Sequence, residues 1–311
     1  MLDIDFFLDS GAYSAMTCGV TINIDEYISF IRENEEKLTM YANLDVIGNE
    51  EASFRNWQYM REQGLNPLPV FHIGSDPKFL KHYMSKVDYI AVGGVADMTP
   101  EQMLDNLDRL WSLYLTDSHG VPNIKIHGFG ITSMRLLNRY PWYSVDSTTW
   151  LRQAMYGSIM APRWRGGKYI YTEAPLIVYI SNESPRRGVP GKHLTTYNPT
   201  DLEQIMQYIN ENQIPIGRSD FKIVDKSYKL QDGEQWALSD NVLDIHSKKE
   251  LNTEGTSKRI VEVVVERGVC NSHAERARWN ALFFLGAEAN APQWPWPFKY
   301  KRPVFGLRDR T

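Results

Sequence analysis

Residues 40–72 read MYANLDVIGNEEASFRNWQYMREQGLNPLPVFH. An apolar run of strand length, Met40–Leu44, ends in Asp45. Helical period then runs from Glu50 to Gln63, and Gly64 sits where a helix should end. A second apolar run, Leu68–Phe71, stops at His72. The link between the two runs is far too long for a hairpin and contains a helix. The two strands are therefore expected to lie parallel, joined by a crossover.

The same rhythm extends in both directions. Strand-length runs occur at Asp5–Leu8, Met40–Leu44, Leu68–Phe71, Tyr89–Val92, Ile124–Ile126, Trp142–Val145, Ser158–Ala161 and Leu176–Ile180, eight in all. Helical segments fall between them at Ile24–Glu36, Glu50–Gln63, Asp76–Lys86 and Thr99–Leu115. Asn23, Asp76, Thr99 and Thr132 supply capping chemistry, and Pro100 suits a first helical position. Eight strand–helix units predict an α/β fold of the TIM (β/α)8 barrel type over residues 1–181, with an open doubly wound sheet as runner-up. In a barrel, the polar residues that end the runs converge on one pocket.

Beyond residue 181 the rhythm breaks. Residues 182–311 are expected to form a loop-rich, mainly helical extension packed on the barrel. Asn182–Tyr197 is a Pro/Gly/Arg loop, Pro199–Asn212 a helix, and Ile214–Ser257 polar and mixed. Arg259–Gly268 fits a strand or a buried helix. Ser272–Leu285 is an amphipathic helix whose Ser272 and Glu275 fit a capping box. Only Cys18 and Cys270 are present, which excludes a disulfide scaffold and a Cys-rich zinc site; both read as small apolar residues. Trp294 and Trp296, set between prolines, read as packing residues. No stretch approaches a membrane span, and the acidic opening MLDIDFFLDSG lacks a basic signal-peptide start, so a reducing cytoplasm is expected. The net charge of −4, from 34 basic and 38 acidic residues, argues against non-specific coating of nucleic acid but leaves room for a local basic patch.

The chemistry-bearing candidates follow the runs. Asp9 ends the first run before Ser-Gly, where it either caps a turn or serves a ligand. Asp45 ends the second; a carboxylate there accepts from a donor-rich edge such as the N1–H and 2-amino group of guanine. Asp146 ends the sixth, and Asp-Ser-Thr also reads as a helix N-cap, a setting that holds a carboxylate ionised, as a nucleophile requires. Two carboxylates at strand ends of one barrel suit acid/base and nucleophilic work at a glycosidic carbon. His72 and His127 read better as hydrogen-bonding pocket residues than as metal ligands, because no paired histidines or carboxylated lysine signal accompanies them. Gly93-Gly94 lets backbone approach a flat ligand. Arg163, Arg165 and Lys168 form a basic-aromatic rim loop, and Arg186, Arg187 and Lys192 form a second. With the basic tail (Lys299, Lys301, Arg302, Arg308, Arg310) these suit a phosphate backbone and exposed bases.

These segments resemble a known family. Asp9-Ser10-Gly11-Ala12-Tyr13 is similar to the Asp-Ser-Gly-Gly-Phe segment of the tRNA-guanine transglycosylases. Tyr-Ala-Asn-Leu-Asp45 stands where that family carries its base-recognising Asp, and Gly93-Gly94 resembles its Gly-Gly-Leu. Asp146, with Ala161-Pro162-Arg163 downstream, resembles the nucleophile and the Pro-Thr-Arg that follows it. The order along the chain matches over roughly residues 5–170. Leu-Asp-Ser-Gly-Ala, His-Gly-Phe-Gly and Tyr-Pro-Trp-Tyr-Ser-Val-Asp-Ser look closer still to phage-type DNA 7-deazaguanine transglycosylases. One departure matters: the tRNA enzymes carry a zinc site of three Cys and one His, whereas this chain has Cys270 and His273 but no Cys-x-Cys-x-x-Cys. Zinc is expected to be absent, which favours DNA over tRNA.

The resemblance implies exchange of guanine in DNA for a free 7-deazaguanine base such as 7-cyano-7-deazaguanine. Asp146 is then the nucleophile and Asp9 the general acid/base. Asp45 reads the base, with His72, Gly93, Gly94, His127 and Tyr13 around it, and Arg163, Arg165, Lys168, Arg186 and Arg187 hold the nucleic-acid backbone. The target base must flip out or be single-stranded, with Tyr13, Phe71 and Trp164 as stacking surfaces. No cofactor or metal is implied, and a homodimer or accessory proteins are compatible with the helices beyond the barrel. The alternatives are a tRNA-guanine transglycosylase, a metal-dependent barrel hydrolase using Asp9, Asp45, His72, His127 and Asp146, and an inactive barrel that only binds nucleic acid.

Overall fold

A computed structural model describes residues 6–95, 98–131, 133–243, 247–248, 251 and 258–299. Asp5, Thr132, Lys301, Arg302, Arg308 and Arg310 lie outside the described residues. The chain divides into two compact units, one running to Ser147 and joined by the residues from Pro292 on, the other spanning Thr148–Ala291. The seventh and eighth runs belong to the second unit.

The first unit alternates strand and helix: β1 (Phe7–Leu8), α1 (Ala12–Cys18), α2 (Ile24–Glu33), β2 (Met40–Tyr41), α3 (Glu50–Glu62), β3 (Val70–His72), α4 (Pro77–Met84), β4 (Tyr89–Gly93), α5 (Pro100–Leu110), β5 (Lys125–Gly128), α6 (Met134–Leu137) and β6 (Ser144–Val145). The capping residues act as their types dictate. Asn23 and Asp76 accept from the first-turn amides of α2 and α4, and Thr99 with Gln102 closes a full capping box on α5. Gly64 ends α3 at φ +81°, where a Cβ would be strained. Helix α1 lies outside the segments of helical period in the sequence. It starts directly after Gly11, which takes φ +72°, and buries none of its side chains.

All pairings among these strands are parallel. β1 pairs with β2, a parallel bridge from Ala42 to Leu68 links that pair towards β3, and β3, β4, β5 and β6 follow in order. The spatial order thus follows the chain without reversal. A doubly wound sheet reverses its order at a switch point, and none occurs among the described strands. The core behind the sheet holds Trp57, Leu80, Tyr83, Ile90, Leu107 and Trp111. Phe298 packs on Trp111 and Tyr140, and Trp294 donates to the Pro141 carbonyl and lies edge-on to Tyr143, so Trp294 packs as expected.

The second unit contains α7 (Thr149–Met155), β7 (Ser158–Ala161), β8 (Arg163–Arg165), β9 (Lys168–Ile170), β10 (Leu176–Tyr179), α8 (Pro199–Glu211), β11 (Arg218–Asp225), β12 (Glu234–Trp236), β13 (Lys258–Glu266) and α9 (His273–Ala289). One expectation is corrected here. The eighth run, β10, pairs antiparallel with β7. Its connection carries the hairpin β8–β9 instead of a crossover helix, so the chain returns antiparallel. The extension also carries a sheet that was not expected: β11, β13 and β12 form a three-stranded antiparallel one beside its helices. The β-branched run Lys258–Glu266 sits at its centre, pairing on both sides. Asn280 of α9, fully buried, accepts from Met160 N–H (2.7 Å) and donates to the Trp150 (2.9 Å) and Ser158 (3.2 Å) carbonyls, tying α9 to α7 and β7. Among the described residues no helix is long and apolar enough to cross a membrane.

Candidate active site

Six parallel strands in chain order place their C-terminal ends on one edge. The residues at or just after those ends are Asp9, Asp45, His72, Gly93-Gly94, His127 and Asp146, all in the first unit. The sequence-predicted pocket residues are therefore brought together. A separate cleft of about 810 Å³ opens among Met40, Tyr41, Leu68, Lys86 and Tyr89, at the opposite ends of the same strands. It is away from this chemistry, and the convergence of charged side chains is the better guide to the site.

Asp45 is only 9% exposed and both of its oxygens are engaged. Oδ1 accepts from Ser10 Oγ at 2.7 Å, and Oδ2 lies 2.9 Å from His72 Nε2. Each carboxylate oxygen keeps a second lone pair for a ligand. On the other side of His72, Nδ1 faces Glu50 Oε2 at 3.6 Å, and the His72 backbone N–H donates to the same oxygen at 3.3 Å. Burial pulls the imidazole's pKa down, but the bond to Asp45 and the charges of Asp45 and Glu50 outweigh it and leave His72 above the ordinary 6.5. Glu50 itself is pushed up by burial, against the bonds it accepts from His72, Ser75 and Tyr83.

Asp9 follows β1 at the mouth of the site. Its residue surface is open to solvent, while protein atoms crowd the carboxyl from one side. That crowding raises its pKa, and the negative charges of Asp45 and Asp146 raise it further; the amides of Ser10 and Gly11 pull it partly back. Asp146 is raised by burial, and its Oδ1 accepts from the Gly130 N–H at 2.6 Å. The expected helix-cap role is not seen. Thr148 is the N-cap residue of α7 and no side chain caps that helix; Asp146 turns instead towards the loop after β5.

His127 is 1% exposed, with Phe7 and Phe129 edge-on to its ring. Its Nδ1 bonds Ser144 Oγ at 2.6 Å, and Ser144 Oγ bonds Tyr89 Oη at 2.5 Å. Among the described residues its Nε2 has no hydrogen-bond partner, and it lies 3.9 Å from Asp146 Oδ1. Burial pushes its pKa down to about 4, so the ring is neutral at physiological pH. Gly93 sits tightly against His72, whose Cδ2 would stand 3.3 Å from a Cβ there, so a side chain would press on the ring. At Gly94, φ +81° and the Ile73 amide 3.2 Å from a Cβ would strain one.

Tyr13 lies on α1 and is 49% exposed. Phe71 cannot stack on a base, because it is buried in the core behind the sheet. Arg163, Arg165 and Lys168 are on the β8–β9 hairpin of the second unit, not on a loop, with Gly166 and Gly167 at φ +57° and +77° making its turn. Arg165 pairs with Glu173 at 2.8 Å and Arg163 donates to the Ala174 carbonyl. Trp164 packs edge-on against Tyr169. Arg186 is exposed, and Arg187 donates to the Asn182 carbonyl. Sequence reasoning missed Ser10, Glu50, Ser144 and Tyr89 as partners of the site residues. Among the described residues no group of three His, Cys, Asp or Glu side chains is placed to hold a metal ion. Comparison with family models, curated proteins and solved structures finds no match to this chain.

Proposed function

We propose that the protein is a base-exchange transglycosylase that replaces guanine in DNA by a free 7-deazaguanine through a covalent Asp146–deoxyribosyl intermediate. The observation that carries this reading is the trio of carboxylates at one strand edge, with Asp9 held under the charges of Asp45 and Asp146. Both carboxyls are raised, Asp9 by crowding and by the charges of Asp45 and Asp146, Asp146 by burial, and Asp146 has one oxygen anchored by the Gly130 amide. Two carboxyls at one strand edge, one of them held in place, suit glycosidic exchange. The six ordered parallel strands are read as part of a (β/α)8 barrel.

In the first half-reaction an Asp146 oxygen bonds C1′ of the flipped nucleotide while the C1′–N9 bond breaks. Protonated Asp9 gives its proton to the departing guanine. In the second, the incoming base loses its N9 proton to Asp9 and displaces Asp146 from C1′. Two inversions give net retention. Asp45, oriented by Ser10 and His72, accepts from the guanine-like edge of both bases. Gly93 and Gly94 let the backbone approach that edge, and Tyr13 offers a ring at the mouth. Arg163, Arg165, Lys168, Arg186 and Arg187 are assigned to phosphates of the strand. The lack of a Cys-x-Cys-x-x-Cys motif supports DNA over tRNA, and a cytoplasmic setting fits the reading.

The test is incorporation of labelled guanine into DNA and into tRNA, in parallel and with EDTA present, by wild type and Asp146→Ala. Label in DNA that vanishes in the variant is the expected result. Label in tRNA alone overturns the substrate, and label in neither overturns the reaction.

A further inference from the structure

His127 ends β5 beside the nucleophile proposed above, and its surroundings fix more than its position. Tyr89 Oη, Ser144 Oγ and His127 Nδ1 form a chain with steps of 2.5 and 2.6 Å. Either hydroxyl can donate to the other and the ring nitrogen can donate or accept, so the chain alone admits both directions. The group beyond the ring selects one: His127 Nε2 faces Asp146 Oδ1 at 3.9 Å, where the carboxylate attracts an N–H and repels a lone pair. The neutral ring is therefore assigned its proton on Nε2, with Ser144 donating to Nδ1 and Tyr89 donating to Ser144. That N–H is buried and has no partner among the described residues. A buried, unpartnered donor aimed at an anion is poised for a bond that a small carboxylate rotation completes. Asp146 Oδ1 already accepts from Gly130 N–H at 2.6 Å. A second donor on the same oxygen would lock the carboxylate plane and present Oδ2 to the sugar carbon.

We propose that His127 is a positioning residue for Asp146, held as the Nε2–H tautomer by the Tyr89–Ser144 hydroxyl chain and donating to Oδ1 so that Oδ2 is the attacking oxygen. This rests on the transglycosylase reading for its consequence, but not for its geometry. It also moves His127 from base contact to nucleophile contact. The flanking rings of Phe7 and Phe129 keep water from competing for the Nε2–H.

Two measurements on the full chain test it and separate it from the reaction itself. The first is long-range proton–nitrogen correlation with ¹⁵N-histidine labelling at about pH 7, where an unperturbed imidazole is mostly neutral and its tautomer is readable. The expected spectrum shows His127 as neutral Nε2–H in wild type, with that preference lost in Ser144→Ala and the Nε2 signal shifted in Asp146→Asn. A wild-type Nδ1–H tautomer, or an Nε2 that ignores Asp146→Asn, overturns the proposal whether or not the protein exchanges bases. The second is exchange kinetics of His127→Phe and His127→Gln. The Phe variant should lose about 10–100-fold in kcat with KM within about twofold, and the Gln variant, whose side-chain amide can replace the donor, should recover most of that loss. A raised KM with kcat retained would put His127 on the base instead. If wild type exchanges nothing, the transglycosylase reading fails and the spectrum still decides the tautomer.

Discussion

His72 offers the sharpest physical test of the site, through Asp45→Asn. The substitution keeps the shape and an oxygen for Ser10 Oγ, but it removes the charge 2.9 Å from His72 Nε2. Both side chains are 9% exposed, so solvent screens the pair little. A buried hydrogen bond to a charged group contributes about 1.5–3 kcal/mol. Burial is the largest single influence on His72 and opposes protonation; Asp45 and Glu50 together reverse it. With Asp45 neutral, only Glu50 at 3.6 Å remains, and His72 should become less basic than in wild type. The sign of the stability effect follows. The folded pKa of His72 lies above the ordinary 6.5, so its contribution is fully present below that value and fades as pH rises through the folded one. Asp45→Asn should therefore cost about 1.5–3 kcal/mol at about pH 5 and distinctly less at about pH 9. Urea unfolding at both pH values, with His72 followed by NMR titration, measures both quantities. Equal losses at the two pH values, or a His72 titration unmoved by the substitution, would refute the reasoning.

Two further outcomes follow from the same structure. Asp9 is raised by crowding and by the charges of Asp45 and Asp146, so the stability its protonation contributes is present below the ordinary 3.8 and lost as pH rises through the raised value. Asp9→Asn should accordingly raise the thermal midpoint at neutral pH while abolishing exchange, and a lowered midpoint would show that the three carboxylates do not repel in solution. Asn280→Ala strands the Met160 N–H and the Trp150 and Ser158 carbonyls, all bonded to a fully buried side chain. The expected cost is about 2–4 kcal/mol in urea unfolding, and a loss near zero would mean that α9 is not held to β7 in this way.

Where strands and helices alternate, the fold was legible because each element carried its own local signal. All eight apolar runs contain strand, and Ser158–Ala161 matches to the residue. What no run could reveal was its partner. The eighth run has the same composition whether it pairs parallel or antiparallel. Its direction was set by the fourteen residues before it, where Gly166-Gly167 turns a hairpin and leaves no crossover helix. Arg259–Gly268 was ambiguous for a related reason: a β-branched run fits either a strand or a buried helix until the flanking strands Arg218–Asp225 and Glu234–Trp236 are seen beside it. Those flanking strands were hidden in polar sequence.

The site divides along the same line. Asp9, Asp45 and Asp146 stood out because a carboxylate ending an apolar run is conspicuous along the chain. Glu50 did not, since an acidic residue opening a helix is unremarkable, and its burial against His72 is a contact across 22 positions. The two histidines show why type and position are not enough. Each ends a strand of the same parallel array, and each read as a hydrogen-bonding pocket residue. His72 lies between two carboxylates, and burial loses to their charges. His127 lies between two phenylalanine rings, with a serine hydroxyl on Nδ1, and burial wins. One is kept basic and the other neutral by neighbours that arrive from other strands. The cross-strand register that pairs His127 with Ser144, and brings Gly93 beside His72, makes that difference. A single strand's sequence does not contain it. The division into an edge with a basic imidazole, built around Asp45 and His72, and an edge with a neutral one, built around Asp146 and His127, is thus a property of the sheet.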